Sequence, residues 1–374
     1  MRVPFNSLLP RSGPELDETA SAVLAVIESG QFFFGVETRS FEAEFAAYLG
    51  AETAVSVGNG TDALEIALRA LDVGPNDLVI CVANAGGYSS IAIRQVGANP
   101  VYVDVDPDSL QMLPKSLEDG ISSAQSKPKA VIVTHLYGAV GDIEAIVAIC
   151  DKHEIPLVED CAQAIGVAKN GIYAGNFGTL ATFSFYPTKN LGGVGDAGAV
   201  VTNNAALAEG VRALAQYGWS EKYVVTEPNG RNSRMDEVQA AVLRIRLRNI
   251  DSLNSRRLEI YRMYLRGAQE LDFVHRDHTS FNAHLAVIRV RDRKAVADIF
   301  KRNGVQTAVH YPVLDSAQEG FPGRSGGLKN SEAGSHSVIS VPCHPGLTSS
   351  QIGLVGSTLR KVASGPHGGA YGSN

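Results

Sequence analysis

The chain has 374 residues, of which 44% are hydrophobic, so it is long enough to form one large domain with a full core and a smaller one. Its formal net charge is −6 and no run of Lys or Arg stands out, which argues against binding to nucleic acids or membrane surfaces. No apolar run approaches the roughly 20 residues that a membrane helix needs, and the first residues lack the pattern of a secretory signal.

The cysteines Cys81, Cys150, Cys161 and Cys343 lie far apart in the sequence. They form no CxxC pair and no spacing typical of metal ligands, so we expect free thiols and no metal site. Reduced cysteines are usual in the cytoplasm, which is where we expect this protein.

Apolar runs of strand length alternate with helical patterns through the first two thirds of the chain. The predicted strands lie in TAVSVGNG, DLVICVAN, PVYVDVD, KAVIVTHLYG, PLVEDCAQAIG and TLATFSFY. Helices are predicted between them: Leu64, Leu68 and Leu71 share one face of TDALEIALRAL, and Asp142 is the expected N-cap of GDIEAIVAICDKHEI. This alternation predicts a mostly parallel sheet that is covered by helices on both faces.

The pattern changes in the last third of the chain. The segment SRMDEVQAAVLRIRLRNIDSLNSRRLEIYRMYLRGAQEL has no Pro or Gly before Gly267, and Met235, Val238 and Val242 recur at helical spacing, which predicts one long helix. The segments HLAVIRV, DRKAVADIFKRNG and VISVP then indicate a small α+β domain. The predicted divisions are a large domain over 1–249, a small C-terminal domain over 250–361 and a disordered tail over 362–374.

Polar residues follow several predicted strands, at the sheet edge where α/β proteins bind ligands. The first strand runs into Asn59, Gly60 and Thr61, where a helix begins. Free amides and the dipole at a helix N-terminus favour a phosphate, and glycine permits close approach. Taken alone, this feature is better explained as an ordinary helix N-cap.

Two carboxylates end the predicted strand PLVED. Glu159 and Asp160 follow apolar residues, and Gln163 comes three residues after Asp160. Burying an unpaired charge is costly, so a carboxylate at this place needs a partner. A bound heterocyclic cation is the functional interpretation, and a surface turn or a salt bridge is the structural one.

A lysine follows the predicted strand TFSFY, which contains Ser184. Lys189 comes just after Pro187, and a lysine in a ligand site can bond to a carbonyl compound when its surroundings favour the neutral amine. An exposed loop lysine is the commoner case. The segment from Gly193 to Gly198 matches the G-x-G-x-x-G fingerprint, but it runs into the predicted strand AVVTN instead of a helix, so we reject a nicotinamide site.

A phosphate site, a carboxylate and a lysine thus follow one another at successive strand ends. Pyridoxal 5′-phosphate (PLP) needs these three parts: an amine to bond, an acid that faces the pyridine nitrogen, and a cup for the phosphate. The combination, unlike each part alone, predicts a PLP-dependent protein.

With these motifs the chain resembles the DegT/DnrJ/EryC1/StrS family of PLP-dependent sugar aminotransferases, of fold type I (aspartate aminotransferase-like). The resemblance runs from Phe33 to Pro312, in GNGTDALEIAL, PVYVDVDPDSL, THLYGAVGDIEAI, LVEDCAQAIG, FSFYPTKNLGGVGDAGAVVTN, GRNSRMDEVQAAVLRIRL and VHYP. It implies an α/β, fold-type-I architecture with a mostly parallel central sheet covered by helices and a smaller C-terminal α+β domain.

The resemblance also implies roles for single residues. Lys189 corresponds to the lysine that holds the cofactor and later moves a proton, and Asp160 to the acid that pairs with the pyridine nitrogen. Gln163 corresponds to the residue near the ring oxygen. The implied phosphate contacts are Gly60, Thr61 and Ser184, together with Asn232 from the neighbouring subunit. The last contact implies a homodimer with shared active sites.

Some positions depart from the family pattern. The family often has an aromatic residue in a T-[FY]-x-A-T segment that stacks on the pyridine ring; this chain has VANAGGYSSIAI, where Tyr88 is the candidate in an offset register. Candidate substrate contacts are Lys222, Tyr223, Arg231, His310 and Tyr311. A packed strand end is an equal alternative for the last two, and solvated loop residues are the default for Lys222 and Tyr223. His284 is either a structural residue or part of the sugar pocket, and the structural role is favoured.

The implied activity is transfer of an amino group, with glutamate as the donor, to a nucleotide-linked keto-sugar in amino-sugar biosynthesis. Three alternatives stay open. An aminotransferase of this family can act on a keto-cyclitol. The dehydratase branch replaces the lysine with histidine, so Lys189 argues against it. A non-catalytic regulatory protein with this fold would not need an intact lysine, acid and phosphate site.

Overall fold

The computed structural model describes residues 2–8, 13–276, 279–321, 324–325 and 327–366. The α-helices in these ranges are α1 (Gly13–Ser29), α2 (Val36–Leu49), α3 (Gly60–Ala70), α4 (Tyr88–Gln95), α5 (Pro114–Ser123), α6 (Ile143–Lys152), α7 (Ala205–Ala215), α8 (Glu237–Leu247), α9 (Ile250–Gly267), α10 (Arg293–Arg302), α11 (Lys329–Ser337) and α12 (Ser349–Ala363). The strands are β1 (Thr53–Val57), β2 (Leu78–Val82), β3 (Asn99–Val103), β4 (Ala130–Thr134), β5 (Leu157–Asp160), β6 (Ala168–Lys169), β7 (Ile172–Tyr173), β8 (Leu180–Ser184), β9 (Gly198–Thr202), β10 (Trp219–Glu221), β11 (Val224–Val225), β12 (Asp272–Phe273), β13 (Ala286–Arg289), β14 (Arg324–Ser325) and β15 (Val338–Val341). Short 3₁₀ turns lie at Leu136–Gly138 and Asp315–Ala317.

The central sheet has eight strands in the order β1-β9-β8-β5-β4-β2-β3-β14. Its neighbours pair in parallel except β9, which runs antiparallel to β1 and β8. The mostly parallel α/β architecture is therefore confirmed. In this register Thr134 pairs with Asp160 and Asp160 with Thr182, so the carboxyl ends of β4, β5 and β8 lie side by side.

Both faces of the central sheet are buried, as the sequence predicted. Alternate residues of β2 point to opposite sides: Ile80 and Val82 pack in one core, and Val79 and Cys81 pack in the other. The first core includes residues of α2, α6 and α8, and the second includes residues of α3, α4 and α7. A layer of helices on each face is the arrangement that parallel strands require.

A second, smaller unit is built on the antiparallel sheet β12-β13-β15. Its own core contains Ile260 of α9, Phe300 of α10 and Val355 of α12. The N-terminal segment joins it, because Val3 lies in this core and pairs with Val305. The domain division at residue 250 remains a prediction.

The long helix predicted after residue 232 is two helices. The chain breaks between α8 and α9, at Arg248 and Asn249. Leu243 of α8 packs in a core of the central sheet, whereas Ile260 of α9 packs in the core of the small sheet, so the break lets one segment serve both. Asparagine is a suitable residue at such a point, since its side chain competes for backbone hydrogen bonds.

Three further expectations concern the ends of elements, the cysteines and membranes. Helix α12 continues to Ala363, two residues into the predicted tail, and residues 367–374 lie outside the described residues. The four cysteines are free and buried, as predicted. Within the described ranges, the helices include none with the length and apolar character to span a membrane.

Candidate active site

A cavity of about 740 Å³ lies at the carboxyl ends of the central strands, beneath residues of the smaller unit. The predicted residues that line it are Gly60, Thr61, Tyr88, Asp160, Gln163, Ser184, Lys189, His310 and Tyr311. Nine predicted residues thus lie in one place: Tyr88, His310 and Tyr311 were candidates from the family resemblance, and the other six were candidates from the strand-end argument.

One end of the cavity has the properties of an anion site. Helix α3 begins there, and the side chain of its N-cap, Asn59, accepts the backbone N–H of Asp62 at 2.9 Å. The N–H groups of Gly60 and Thr61 belong to the first turn, where an α-helix offers no acceptor. A Cβ on Gly60 would lie 2.6 Å from Cβ of Ser184, so only glycine permits this close approach. The N-cap and the phosphate site are therefore compatible.

Asp160 is the last residue of β5 and is only 6% exposed. Its carboxylate accepts the N–H of Ala162 at 3.1 Å and has the hydroxyl of Thr134 at 3.4 Å. Burial raises the pKa of Asp160, and the positive charges of Lys189 and His135 oppose that rise. The surface-turn alternative is excluded, and the two hydrogen-bond partners of this buried acid are neutral groups.

Lys189 lies in the turn after β8, where its N–H donates to the carbonyl of Tyr186 at 2.8 Å. Its amine reaches the same cavity as Asp160. Removal from water lowers the pKa of Lys189, and Asp160 opposes this effect. The site therefore shifts Lys189 toward the neutral amine, which is the form that can act as a nucleophile and a base.

Gln163 is oriented by both ends of its amide. The carbonyl Oε1 accepts the N–H of Tyr137 at 2.6 Å, and Nε2 donates to the hydroxyl of Tyr311 at 3.2 Å. The NH₂ group therefore faces the cavity with a second N–H to donate, which suits an acceptor such as a ring oxygen.

The aromatic wall of the cavity combines Tyr88 and Tyr311. Tyr88 begins α4, and its ring stands edge-on to that of Tyr311, with 6.4 Å between the centroids. Gly86 leaves room for this arrangement, because a Cβ there would lie 2.7 Å from the ring of Tyr311.

His310 is held on the side of the smaller unit. Its Nδ1 lies 2.9 Å from the hydroxyl of Ser340, and its ring stacks on Phe5 at 5.5 Å. Burial, with a smaller contribution from Lys189, lowers the pKa of His310 to about 4. The ring is therefore neutral near pH 7.

Four predicted residues do not line this cavity in the described part of the chain: Asn232, Lys222, Tyr223 and Arg231. Arg231 forms ion pairs with Asp62 and Glu65 of α3. Its guanidinium is thus engaged within the chain, and its predicted contact with a substrate phosphate stays a prediction.

The other three lie on exposed segments. Asn232 is exposed and pairs by its backbone with Gln216. Lys222 lies with its Nζ 5.1 Å from the ring centroid of Tyr223, which is 76% exposed. Such positions suit contacts with another subunit or a large ligand, and the roles of these three residues stay predictions.

One buried group has the donor atoms of a metal site: His135, Glu159 and Cys161. Their ligand atoms lie within 4.8 Å of one another. The carboxylate of Glu159, however, already accepts a bond from the ring of His135 and from the N–H groups of Gly175, Phe177 and Gly178. These bonds make Glu159 an anchor for the loop that precedes β8.

Sequence reasoning missed several cavity residues: Phe5, Asn6, Thr134 and Asp196. His284, for which a place in the sugar pocket was the less favoured alternative, also lines the cavity. Thr134 ends β4, so the strand-end rule could have found it. Phe5 and Asn6 come from the N-terminus through its pairing with Val305, a contact over about three hundred residues that no local pattern signals.

The rejection of a nicotinamide site agrees with the structure. The glycines from Gly193 to Gly198 lead directly into β9, which runs antiparallel to β8. They open no helix, so they lack the N-terminus that would bind a dinucleotide.

Known proteins resemble this chain over nearly its whole length. A Streptomyces venezuelae protein named dTDP-3-amino-3,4,6-trideoxy-alpha-D-glucose transaminase is 39% identical over 97% of this chain and 96% of its own. The crystal structure of S. venezuelae DesV, in complex with a ketimine intermediate, matches with a TM-score of 0.92 at 37% identity, over 97% of this chain and 99% of that one. NtdA of Bacillus subtilis, with bound cofactor PMP, matches with a TM-score of 0.87 at 28% identity, over 96% and 85%.

These matches are consistent with the residues that line the cavity. The model of one protein family matches the chain from residue 15 to residue 360. The resemblance in the sequence motifs is thereby confirmed. The chain belongs to the DegT/DnrJ/EryC1/StrS aminotransferase family.

Proposed function

We propose that this protein is a PLP-dependent aminotransferase that transfers an amino group from glutamate to a keto-sugar linked to a nucleoside diphosphate. The observation that carries the proposal is one cavity that combines the amine of Lys189, the buried carboxylate of Asp160 and the free amides at the start of α3. The four cysteines of the chain are free and buried, which suits a reducing compartment, so we propose that the enzyme works in the cytoplasm.

The residues present fit PLP. The amides of Gly60 and Thr61 and the hydroxyl of Ser184 would hold the phosphate, in a cradle that a Cβ on Gly60 would fill. Asp160 would face the pyridine nitrogen and Gln163 the ring oxygen. When bound, PLP supplies an electron sink for the electrons of the bond that is broken at the amino-bearing carbon.

The two ionisable residues divide the proton chemistry between them. The hydrogen-bond partners of the Asp160 carboxylate are neutral groups. A protonated pyridine ring would supply an ion partner, and Asp160 would keep the ring protonated. Lys189, with its lowered pKa, accepts a proton from the substrate carbon and delivers it again. Enclosure of both groups in one cavity strengthens these interactions by excluding water.

Asn232 is exposed and does not line this chain's own cavity, so its side chain is available to a second subunit. We propose that Asn232 reaches the phosphate of the partner's site in a homodimer. An isologous interface then makes two equivalent sites.

A mixed dimer tests this sharing. One chain carries Lys189→Ala and the other carries Asn232→Ala, so one site combines both changes and the other site has neither. We expect the mixed dimer to recover up to about half of the wild-type turnover, measured against both inactive parent dimers. No recovery in a heterodimer verified by two affinity tags would contradict shared sites.

The substrate class predicts a specific pattern of inhibition. A nucleoside diphosphate needs positive or amide-rich contacts beyond the cofactor, and the candidate is Lys222 with the segment Gly218–Lys222, which contains β10. Free dTDP or UDP should therefore compete with the sugar substrate. Lys222→Gln should raise the KM for the sugar by roughly 10- to 150-fold, with little effect on the glutamate half-reaction, since an ammonium–phosphate contact is worth about 1.5–3 kcal/mol.

Lys301→Gln is the matched control, because Lys301 is an exposed lysine in the last turn of α10. Arg231 is less suitable for this test, since its removal would unpair Asp62 and Glu65. The keto-cyclitol alternative predicts the reverse: no inhibition by either nucleotide, and turnover of a free ring ketone.

A further inference from the structure

His284 lies at the end of a chain of buried amide side chains. Its Nδ1 is 2.9 Å from Oδ1 of Asn190, and Nδ2 of Asn190 is 2.7 Å from Oδ1 of Asn254. Asn190 and Asn254 are 4% and 6% exposed, so water does not replace these bonds. Asn190 directly follows Lys189, so adjacent residues hold the histidine and present the amine.

The chain of bonds has a fixed direction. Nδ2 of Asn254 donates to the carbonyl of Ile165 at 3.0 Å, which leaves its Oδ1 to accept from Asn190. The Oδ1 of Asn190 must then accept as well, so the bond from His284 is donated by Nδ1–H. In a neutral imidazole with its proton on Nδ1, Nε2 carries only a lone pair.

The backbone of His284 is fixed by a second buried amide. Its N–H donates to Oδ1 of Asn282 at 2.9 Å, and Nδ2 of Asn282 donates to the carbonyls of Gln163 and Ile165. The main chain and the ring are thus both tied to the loop that carries Gln163. A flip of the ring would break its bond to Asn190.

His284 lines the cavity and its Nδ1 is bonded to Asn190, so Nε2 is the ring nitrogen that remains available to a ligand. The residue lines the cavity with Lys189 and His310, and Nε2 is not among the enclosed polar atoms that lack a partner in the described chain. Burial first, then the nearby Lys189, lowers the pKa of His284 well below its ordinary value. The ring therefore stays neutral, and the cavity presents a hydrogen-bond acceptor at this point.

We propose that His284 determines substrate specificity by accepting a hydrogen bond from a hydroxyl group of the sugar ring. This inference rests on the proposed function. A lone pair attracts a hydroxyl proton and repels a phosphate or carboxylate oxygen. The sugar hydroxyls therefore face His284, and the diphosphate of the nucleotide and the carboxylates of glutamate bind elsewhere in the cavity.

Two substitutions separate the two ring nitrogens. In His284→Asn the amide nitrogen stands near the position of Nδ1 and keeps the bond to Asn190, but the acceptor at Nε2 is lost. In His284→Gln the longer amide places a carbonyl oxygen near Nε2 and restores an acceptor. A merely structural histidine predicts that Asn is the better replacement, and the proposal predicts that Gln is.

The test is calorimetric binding to the cofactor-loaded protein, with dTDP-glucose and UDP-glucose as unreactive probes and dTDP and UDP as controls without a sugar. We expect His284→Asn to lower the affinity for the preferred nucleotide sugar by roughly three- to tenfold, the value of one hydrogen bond, without changing the affinity for the free diphosphate. His284→Gln should recover part of the loss.

The other outcomes are distinct. Unchanged binding of the nucleotide sugar to His284→Asn overturns this inference and leaves the proposed function intact. If His284→Asn loses affinity for the free diphosphate as much as for the nucleotide sugar, or slows the glutamate half-reaction equally, then His284 has a structural role or contacts Lys189. Either result also overturns the inference. If the wild-type protein binds neither the nucleotide sugars nor the free nucleotides, the proposed substrate class is wrong, and the inference that rests on it is wrong as well. Nitrogen NMR of His284 provides a separate check, because a proton on Nε2 would contradict the assigned tautomer.

Discussion

Replacing Lys189 with alanine is expected to lower turnover by at least about 10⁴-fold, the upper range for loss of a positioned acid–base group. The variant loses both the amine that bonds the cofactor and the base that moves the substrate proton. Lys189→Arg is the matched control: it keeps a positive charge but offers no neutral amine, so it should be as inactive as the alanine variant.

The measurement pairs turnover with chemical mapping. Borohydride reduction of the cofactor-loaded wild-type protein, followed by peptide mapping, should label Lys189, and both variants should lose that label. Since burial lowers the pKa of Lys189, the single-turnover rate should fall as pH decreases through that pKa and the amine becomes protonated. A label on another lysine, or an active Lys189→Arg variant, would reject the assignment.

The sequence predicts the large unit and the centre of the site well, because both depend on local patterns. Asp160, Ser184 and Lys189 were placed by the rule that ligands bind at the carboxyl ends of strands, and they line one cavity. A helix N-cap was predicted at Asn59 or Thr61, and the structure places it at Asn59. Asp142 occupies the predicted N-cap position of α6, but its side chain makes no capping bond.

The features that the sequence did not reveal depend on long-range packing. The break between α8 and α9 separates residues that serve two different cores, and a continuous helical pattern does not show which core each residue joins. For His284 a structural role was favoured over a place in the sugar pocket, and the residue lines the cavity. Its exposure to the cavity follows from bonds to Asn190 and Asn282, which only the fold brings near.

The Asp160→Asn variant is expected to fold normally but to lose about 10²- to 10³-fold in turnover, the usual cost of removing one electrostatic contact that stabilises a transition state. The amide is nearly the same size and can still bond to Ala162 and Thr134. It carries no charge, however, and cannot hold a proton on the pyridine nitrogen, so the electron sink weakens. Asp151→Asn, an exposed change on α6, serves as the control and should leave turnover unchanged.

The decisive measurements are single-turnover rates for each half-reaction, with circular dichroism to confirm the fold. Both half-reactions should slow together, because both need the protonated ring, whereas damage to the sugar pocket would slow only one. Reconstitution with N-methylated cofactor, whose ring nitrogen is permanently charged, should restore part of the lost rate to Asp160→Asn. Near-normal single-turnover rates in this variant would mean that the buried carboxylate is a structural group. A deficit that the charged ring does not reduce would show that Asp160 acts by some means other than holding this proton.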